Sequence, residues 1–323
     1  MNKAEILVGD ALKGLQHLSD GTVRTCVTSP PYWGLRDYGN DGQLGLEATP
    51  QEFVENLCQV FDEVWRVLAE DGTVWVNLGD SYAGGAAASG GKQRLGPNKD
   101  LDNQRNKVKL RKVGDGLKAK DLVGIPWRFA FAMQERGWYL RQDIIWAKPN
   151  PMPESVTDRC TKSHEYIFFF SKQPKYFFDS VAIREPLAES SIDRLAQDLE
   201  SQLGSTRANA GAKTNGNMKA LGDPEAGRNK RSVWNIASGS FKDAHFAVYP
   251  PALIEPCIKA GSAEGDTVLD PFSGSGTTGE VALKLGRNYV GCELNPDYAR
   301  LSEKRITEAL GMFADVEVRD AGV

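Results

Sequence analysis

Short apolar runs alternate with amphipathic stretches along this chain, the pattern of a parallel sheet covered by helices on both faces. The runs at residues 5–8, 23–28, 73–78, 140–146, 166–171, 267–269 and 289–292 read as strands. Between the second and third, Phe53, Leu57, Val60, Val64 and Leu68 recur on one helical face. Thr49 can cap that helix, Pro50 fits its first position and Glu52 completes a capping box. Further helices are expected at residues 122–136, 276–285 and 295–310, the last capped by Asn295 before Pro296. Two stretches break the rhythm: residues 82–120, with a GGAAASGGK opening, and residues 185–231, rich in Gly, Asn, Ser and charge. They read as long loops or small subdomains inserted at one end of the sheet.

A chain of 323 residues, 41% hydrophobic and 25% charged, can bury a full core as one large domain with insertions or as two domains. It has no run of about 18 apolar residues, and MNKAEILVGD lacks the charged-then-apolar order of a secretion signal, so a cytoplasmic location without a membrane partner is expected. Cys26, Cys58, Cys160, Cys257 and Cys292 are odd in number, far apart and set among apolar residues. Buried free thiols are expected, with no disulfide and no metal site.

Charge changes the picture once it is counted by segment. Residues 1–90 carry 5 basic against 13 acidic side chains and residues 250–323 carry 7 against 12, so both ends are acidic. Residues 92–120 carry 10 against 3 and residues 205–232 carry 6 against 2. Two solvated basic loops would look like this; so would an acidic catalytic body with basic attachments that neutralise phosphates.

The segment Asp266-Thr-Val-Leu-Asp-Pro-Phe-Ser-Gly-Ser-Gly-Thr-Thr-Gly279 reads as a strand, a tight glycine turn and a helix start. Gly274 and Gly276 let backbone approach a ligand, with Pro271, Phe272 and Thr277 beside them. Asp270 stands at the carboxyl end of the strand, where ligands of open α/β sheets bind. Its charge suits a cationic ammonium better than a phosphate, and the P-loop Lys-Ser/Thr is missing, so ATP is not the expected ligand. One strand later, Glu293 could accept hydrogen bonds from both hydroxyls of a ribose.

Near the other end, the strand at residues 23–28 runs into Ser29-Pro30-Pro31-Tyr32-Trp33. Two prolines fix the backbone and remove its donors, leaving carbonyls around Ser29 and Pro30 as pure acceptors that can receive an NH2 group. Holding both amino hydrogens draws the nitrogen lone pair out of conjugation. Tyr32 offers a face on which an extruded base can stack, although PPYW as a rigid turn packing on the core is the plain structural alternative.

Together TSPPY and DPFSGSGTT resemble the amino-methyltransferases of DNA, which form N4-methylcytosine or N6-methyladenine. TSPPY first, DPFSGSG last and a basic region between resembles the permuted beta arrangement of that family, over nearly the whole chain. The resemblance implies a Rossmann-like S-adenosyl-L-methionine-dependent α/β fold, circularly permuted, with an inserted target-recognition region. It implies Ser29, Pro30, Pro31 and Tyr32 as the catalytic turn and puts Asp10 near the cofactor's adenine. His245 and Phe246, in HFAVYP, match a segment against the methionine end, with Phe246 standing where the family has proline. Residues 141–148, RQDIIWAK, match the strand behind the target pocket. The expected division is a catalytic core at 1–81 and 121–184, a basic insertion at 82–120, a target-recognition region at 185–240 and a cofactor-binding part at 241–323.

The partner so implied is double-stranded DNA, gripped at phosphates by Lys107, Lys109, Arg111 and Lys112, with Arg228, Lys230 and Arg231 in the region that reads bases. A homodimer is a further expectation, since many relatives pair. In the family this chain resembles, a serine before Pro-Pro-Tyr is commoner among cytosine-N4 enzymes and an aspartate among adenine-N6 enzymes, so the resemblance slightly favours cytosine-N4 with adenine-N6 as the alternative. Methylation of an RNA amino group or a protein glutamine would use the same turn, but a glutamine methyltransferase would need a peptide groove and no large basic appendages, whereas the basic stretches suit a DNA backbone. A DNA-binding repressor with a dead cofactor fold would not need Ser29, Tyr32, Asp270 and Glu293 intact.

Overall fold

The computed structural model describes residues 2–35, 39–40, 42–84, 116–187, 189, 192, 227–239, 249–311 and 315–322. Two compact units divide it: Met1–Phe178 with Ser232–Val323, and Asp179–Arg231.

In the larger unit, β1 (Lys3–Val8) leads into the short helix α1 (Ala11–Gln16), capped by Asp10, whose side chain accepts the Lys13 N–H. Next come β2 (Val23–Thr28), α2 (Pro50–Val67) and β3 (Leu68–Leu78). The Thr49–Glu52 capping box forms, and the buried face of α2 carries Phe53, Leu57, Val60 and Val64. Helix α3 (Ile125–Glu135) follows left-handed Gly124, so it starts later than residue 122. Its exposed N–H groups are met from outside, because the Asp80 carboxylate just past β3 accepts from Gly124 and Ile125. The chain continues through β4 (Tyr139–Ala147), β5 (His164–Ser171), β6 (Val233–Asn235), α4 (Pro251–Gly261), β7 (Thr267–Asp270), α5 (Thr277–Lys284), β8 (Asn288–Glu293), α6 (Pro296–Leu310) and β9 (Asp315–Asp320).

These strands form one sheet in the order β6-β4-β5-β3-β2-β7-β8-β1-β9. Every neighbouring pair is parallel except the two made by β5, which runs opposite to β3 and β4. This corrects the all-parallel expectation. A parallel partner needs a crossover, and the chain between β4 and β5 turns straight back, closed at its base by the Lys148 N–H to the Ser163 carbonyl at 2.7 Å. Helices α1, α2 and α3 pack on one another, as do α4, α5 and α6. Cys26 of β2 lies in the core with α2, while its neighbour Thr25 comes against Gly261 of α4, so the groups cover opposite faces.

The chain leaves β2 through α2 toward β3 on one side and leaves β7 through α5 toward β8 on the other. Since β2 and β7 are adjacent, a crevice opens between their carboxyl ends, the place where open α/β sheets bind ligands. Both sequence motifs begin there.

Cys26, Cys58, Cys257 and Cys292 are buried and free; Cys160 is free but exposed, a correction to the buried position expected of it. Burial pushes the Cys58 thiol up to about 12. Among the described residues no helix is long and apolar enough to cross a membrane.

Candidate active site

The glycine turn after β7 is built to stay open. Gly276 adopts φ +77° as it caps α5, and a side-chain carbon there would run into Ser302 of α6, so only glycine fits. The Ser273 N–H donates to the Cys292 carbonyl at 2.9 Å and ties the turn to β8. Glu293 ends β8 with one carboxylate oxygen accepting the Gly274 N–H at 2.7 Å and the other the Asn295 N–H at 2.9 Å. Burial pushes its carboxyl up to about 7, opposed by those two donors and reinforced by the nearby Asp270 charge.

Asp270 is fully buried. Its Oδ1 accepts from the Thr28 hydroxyl at 2.5 Å and the Phe272 N–H at 3.0 Å. Its Oδ2 accepts from the Thr278 hydroxyl at 2.6 Å and the Tyr249 hydroxyl at 3.1 Å. Asp270 is not among the residues that line the cavity; its carboxylate joins β2, the glycine turn and α5 from beneath the cavity wall. Burial raises its carboxyl above the ordinary range despite these four donors. Asp270→Asn should lower stability by about 1–2 kcal/mol, because one acceptor becomes a donor facing hydroxyls that must reorient. Urea unfolding reads this as a lower midpoint at constant slope, and an unchanged midpoint would mean the bonds contribute nothing.

At the end of β2, the prolines send Tyr32 back across the carboxyl end of β3. Gly79 makes room for it, since a side-chain carbon at that position would lie 2.6 Å from the tyrosine ring. The Tyr32 hydroxyl donates to Glu165 Oε2 at 2.7 Å, with Asn77 Oδ1 3.3 Å away. Asn77 Nδ2 donates to the same Glu165 oxygen at 3.2 Å and to the Tyr166 carbonyl at 3.1 Å. The Ser29 hydroxyl reaches Asn77 Oδ1 at 3.5 Å, and Lys148 Nζ donates to Glu165 Oε1 at 2.5 Å while lying 4.1 Å from the centre of the Trp146 ring. Asn77 and Glu165 are the site residues that the sequence reading missed. Their signal is polarity in the wrong place: a buried asparagine near the end of the apolar β3 run, and a glutamate opening the aromatic run of β5.

A cavity of about 610 Å3 joins the two ends. Ser29, Pro30, Pro31 and Tyr32 line it together with Asp10, Pro271, Phe272, Gly274, Thr277 and Glu293. Asn77, Lys148, Glu165 and Tyr249 line it as well. Gly276 and Asp270 shape it from outside. Its chemistry is an acceptor-rich turn for an amino group at one end and a buried, proton-accepting carboxylate at a glycine turn at the other. Among the described residues no group of three or more His, Cys, Asp or Glu side chains could hold a metal.

His245, Phe246, Lys107, Lys109, Arg111 and Lys112 lie outside the described residues. In the smaller unit Arg228 and Lys230 converge on Glu185, at 3.5 and 3.4 Å, and Arg231 is next along the chain.

A family model described as DNA methylase, of the N6/N4 type, matches residues 23–304. The Type II methyltransferase M.XycI of Xanthomonas campestris pv. cyanopsidis is 46% identical over 298 residues, covering 92% of this chain and 86% of that protein. Among solved structures, PvuII DNA methyltransferase (cytosine-N4-specific) superposes with a TM-score of 0.62 at 19% identity, over 100% of this chain and 96% of the other. A Thermus thermophilus protein complexed with S-adenosyl-L-methionine gives 0.59 at 23% identity, over 98% of this chain and 100% of the other. At those identities the two structures speak for the fold.

Proposed function

Because this chain belongs to the N6/N4 DNA methylase family, we propose that it transfers a methyl group from S-adenosyl-L-methionine to an exocyclic amino nitrogen in double-stranded DNA, cytosine-N4 ahead of adenine-N6. The observation that carries this reading is the shared cavity, lined both by the Ser29–Tyr32 turn and by the glycine turn with Glu293. S-adenosylmethionine supplies a methyl group on a cationic sulfur. The residues present fit it. Each Glu293 oxygen accepts one backbone N–H and has capacity left for a ribose hydroxyl. Asp10 lines the same cavity, and the Pro271–Gly274 turn brings backbone up to the ligand.

At the other end, Ser29 and the Pro30 carbonyl hold the amino hydrogens of the target base, aiming its lone pair away from the ring. No base need remove a proton first, since the methylated nitrogen sheds one easily afterwards. Asn77, Glu165 and Lys148 hold Ser29 and Tyr32 in place and act through them. Cytosine-N4 comes first because a neutral serine, commoner among cytosine-N4 members, precedes Pro-Pro-Tyr here. The basic segments at residues 92–120 and 205–232, with Lys107, Lys109, Arg111, Lys112, Arg228, Lys230 and Arg231, take the phosphates and bases.

The test is transfer of label from methyl-tritiated S-adenosylmethionine offered with duplex DNA, structured RNA and a glutamine-rich protein extract. Label should enter only duplex DNA. Incorporation into RNA or protein alone would overturn the substrate assignment.

A further inference from the structure

Met152 is 85% exposed, more than any other large apolar side chain described. Single apolar residues at a surface need no explanation by themselves. This one sits between Pro151 and Pro153, in the loop that joins β4 to β5, and that loop is braced at three places. Its base is closed by the bond from Lys148 to Ser163. Its near side is pinned where Asn150 Oδ1 accepts the Ser238 N–H at 3.0 Å and Asn150 Nδ2 donates to the Ser238 carbonyl at 3.3 Å. On its far side Glu154 Oε2 accepts from Arg159 at 2.7 Å and from the Lys162 N–H at 3.2 Å.

Lys148 and Ser238, at the roots of two of these braces, line the cavity. Two residues of chain reach at most about 7 Å, so Met152 is held within that distance of Asn150, which is bonded to the cavity-lining Ser238. A proline on each side restricts the backbone and removes two of its donors, and the thioether side chain projects from this stiffened tip into solvent.

We propose that Met152 is a wedge that enters the base stack of the duplex as the target base leaves it, a reading that rests on the DNA methylation proposed above. An extruded base leaves an apolar gap between its former neighbours, and inserted apolar side chains, methionine among them, hold such gaps open. The unbranched, three-bond side chain of methionine adapts to a step of irregular shape.

The test uses the full-length protein and a duplex carrying the site that the parent methylates, in two forms: the target base paired, or placed opposite an abasic position. Met152→Ala should lower kcat/KM on the paired duplex by about 10-fold, because less of the unstacking cost is recovered. On the unpaired target the same variant should stay within about 2-fold of the parent, since extrusion there is already cheap. Met152→Leu should restore the paired rate. Equal losses on both duplexes, or no loss on the paired one, would overturn the wedge while parent activity upholds the methylation reading. A parent protein that transfers methyl to no duplex DNA at all, so that no such site exists, would overturn that reading and the wedge with it.

Discussion

Glu293→Ala is expected to weaken S-adenosylmethionine binding by about 100-fold, as befits the loss of two charge-assisted hydrogen bonds from a buried carboxylate. Titration calorimetry reads the effect directly, and Glu293→Gln separates charge from shape. With its carboxyl pushed up to about 7, Glu293 is half protonated near neutrality, and hydroxyl donors favour the ionised form. Affinity in the parent should therefore fall as pH drops below 7, approaching about 10-fold per unit; in Glu293→Gln it should stay flat. Stability runs the other way. The folded pKa stands above the unfolded value, so the contribution of this group is full below about pH 4.5 and is lost as pH rises through about 7. Equal affinity at pH 6 and pH 8 in the parent would remove Glu293 from the ligand.

Tyr32→Ala is expected to slow single-turnover methyl transfer by about 100-fold, since base–aromatic stacking is worth about 1–3 kcal/mol and the hydroxyl network is lost with the ring. A fluorescent base analogue at the target position should report poorer extrusion in the same variant. Tyr32→Phe keeps the stacking face but takes one donor from the half-buried Glu165 carboxylate, leaving Asn77 on that oxygen. It should lose about 5-fold to 10-fold, the size of one hydrogen bond to a charged group. Should Tyr32→Ala extrude the base and transfer methyl at the parent rate, the turn is structural and the reacting centre lies elsewhere.

What the sequence made legible was local. The Thr49–Glu52 box, the Asn295 cap and the seven apolar runs depend on spacing within one element; both caps form and each run lies within a strand, although β3 begins already at Leu68, which the periodicity places at the end of the helical face. Edge and short elements were not legible: β9 is a mostly exposed strand of alternating charge, DVEVRD, and α1 is six residues with a glycine inside. The reversed direction of β5 depends on where its connection goes, which no periodicity records. The site divides the same way. Ser29–Tyr32 and the glycine turn are continuous in sequence and could be read as chemistry. Asn77 of β3, Glu165 of β5 and Lys148 just past the end of β4 meet only once the sheet forms, so their joint hold on Tyr32 has no linear signature. Asp270 shows the same limit: its place at a strand end was legible, but the four donors from separate segments that converge on it were not.

The central claim is that the methyl group goes to an exocyclic amino nitrogen of a DNA base. Duplex DNA methylated by the pure protein, digested to nucleosides and resolved by mass spectrometry, identifies the acceptor atom. The predicted product is N4-methylcytosine, with N6-methyladenine the alternative that the same turn would give. A methyl group on carbon, as in 5-methylcytosine, would contradict the account, because a Ser-Pro-Pro-Tyr turn that holds an NH2 group offers no nucleophile to activate a ring carbon.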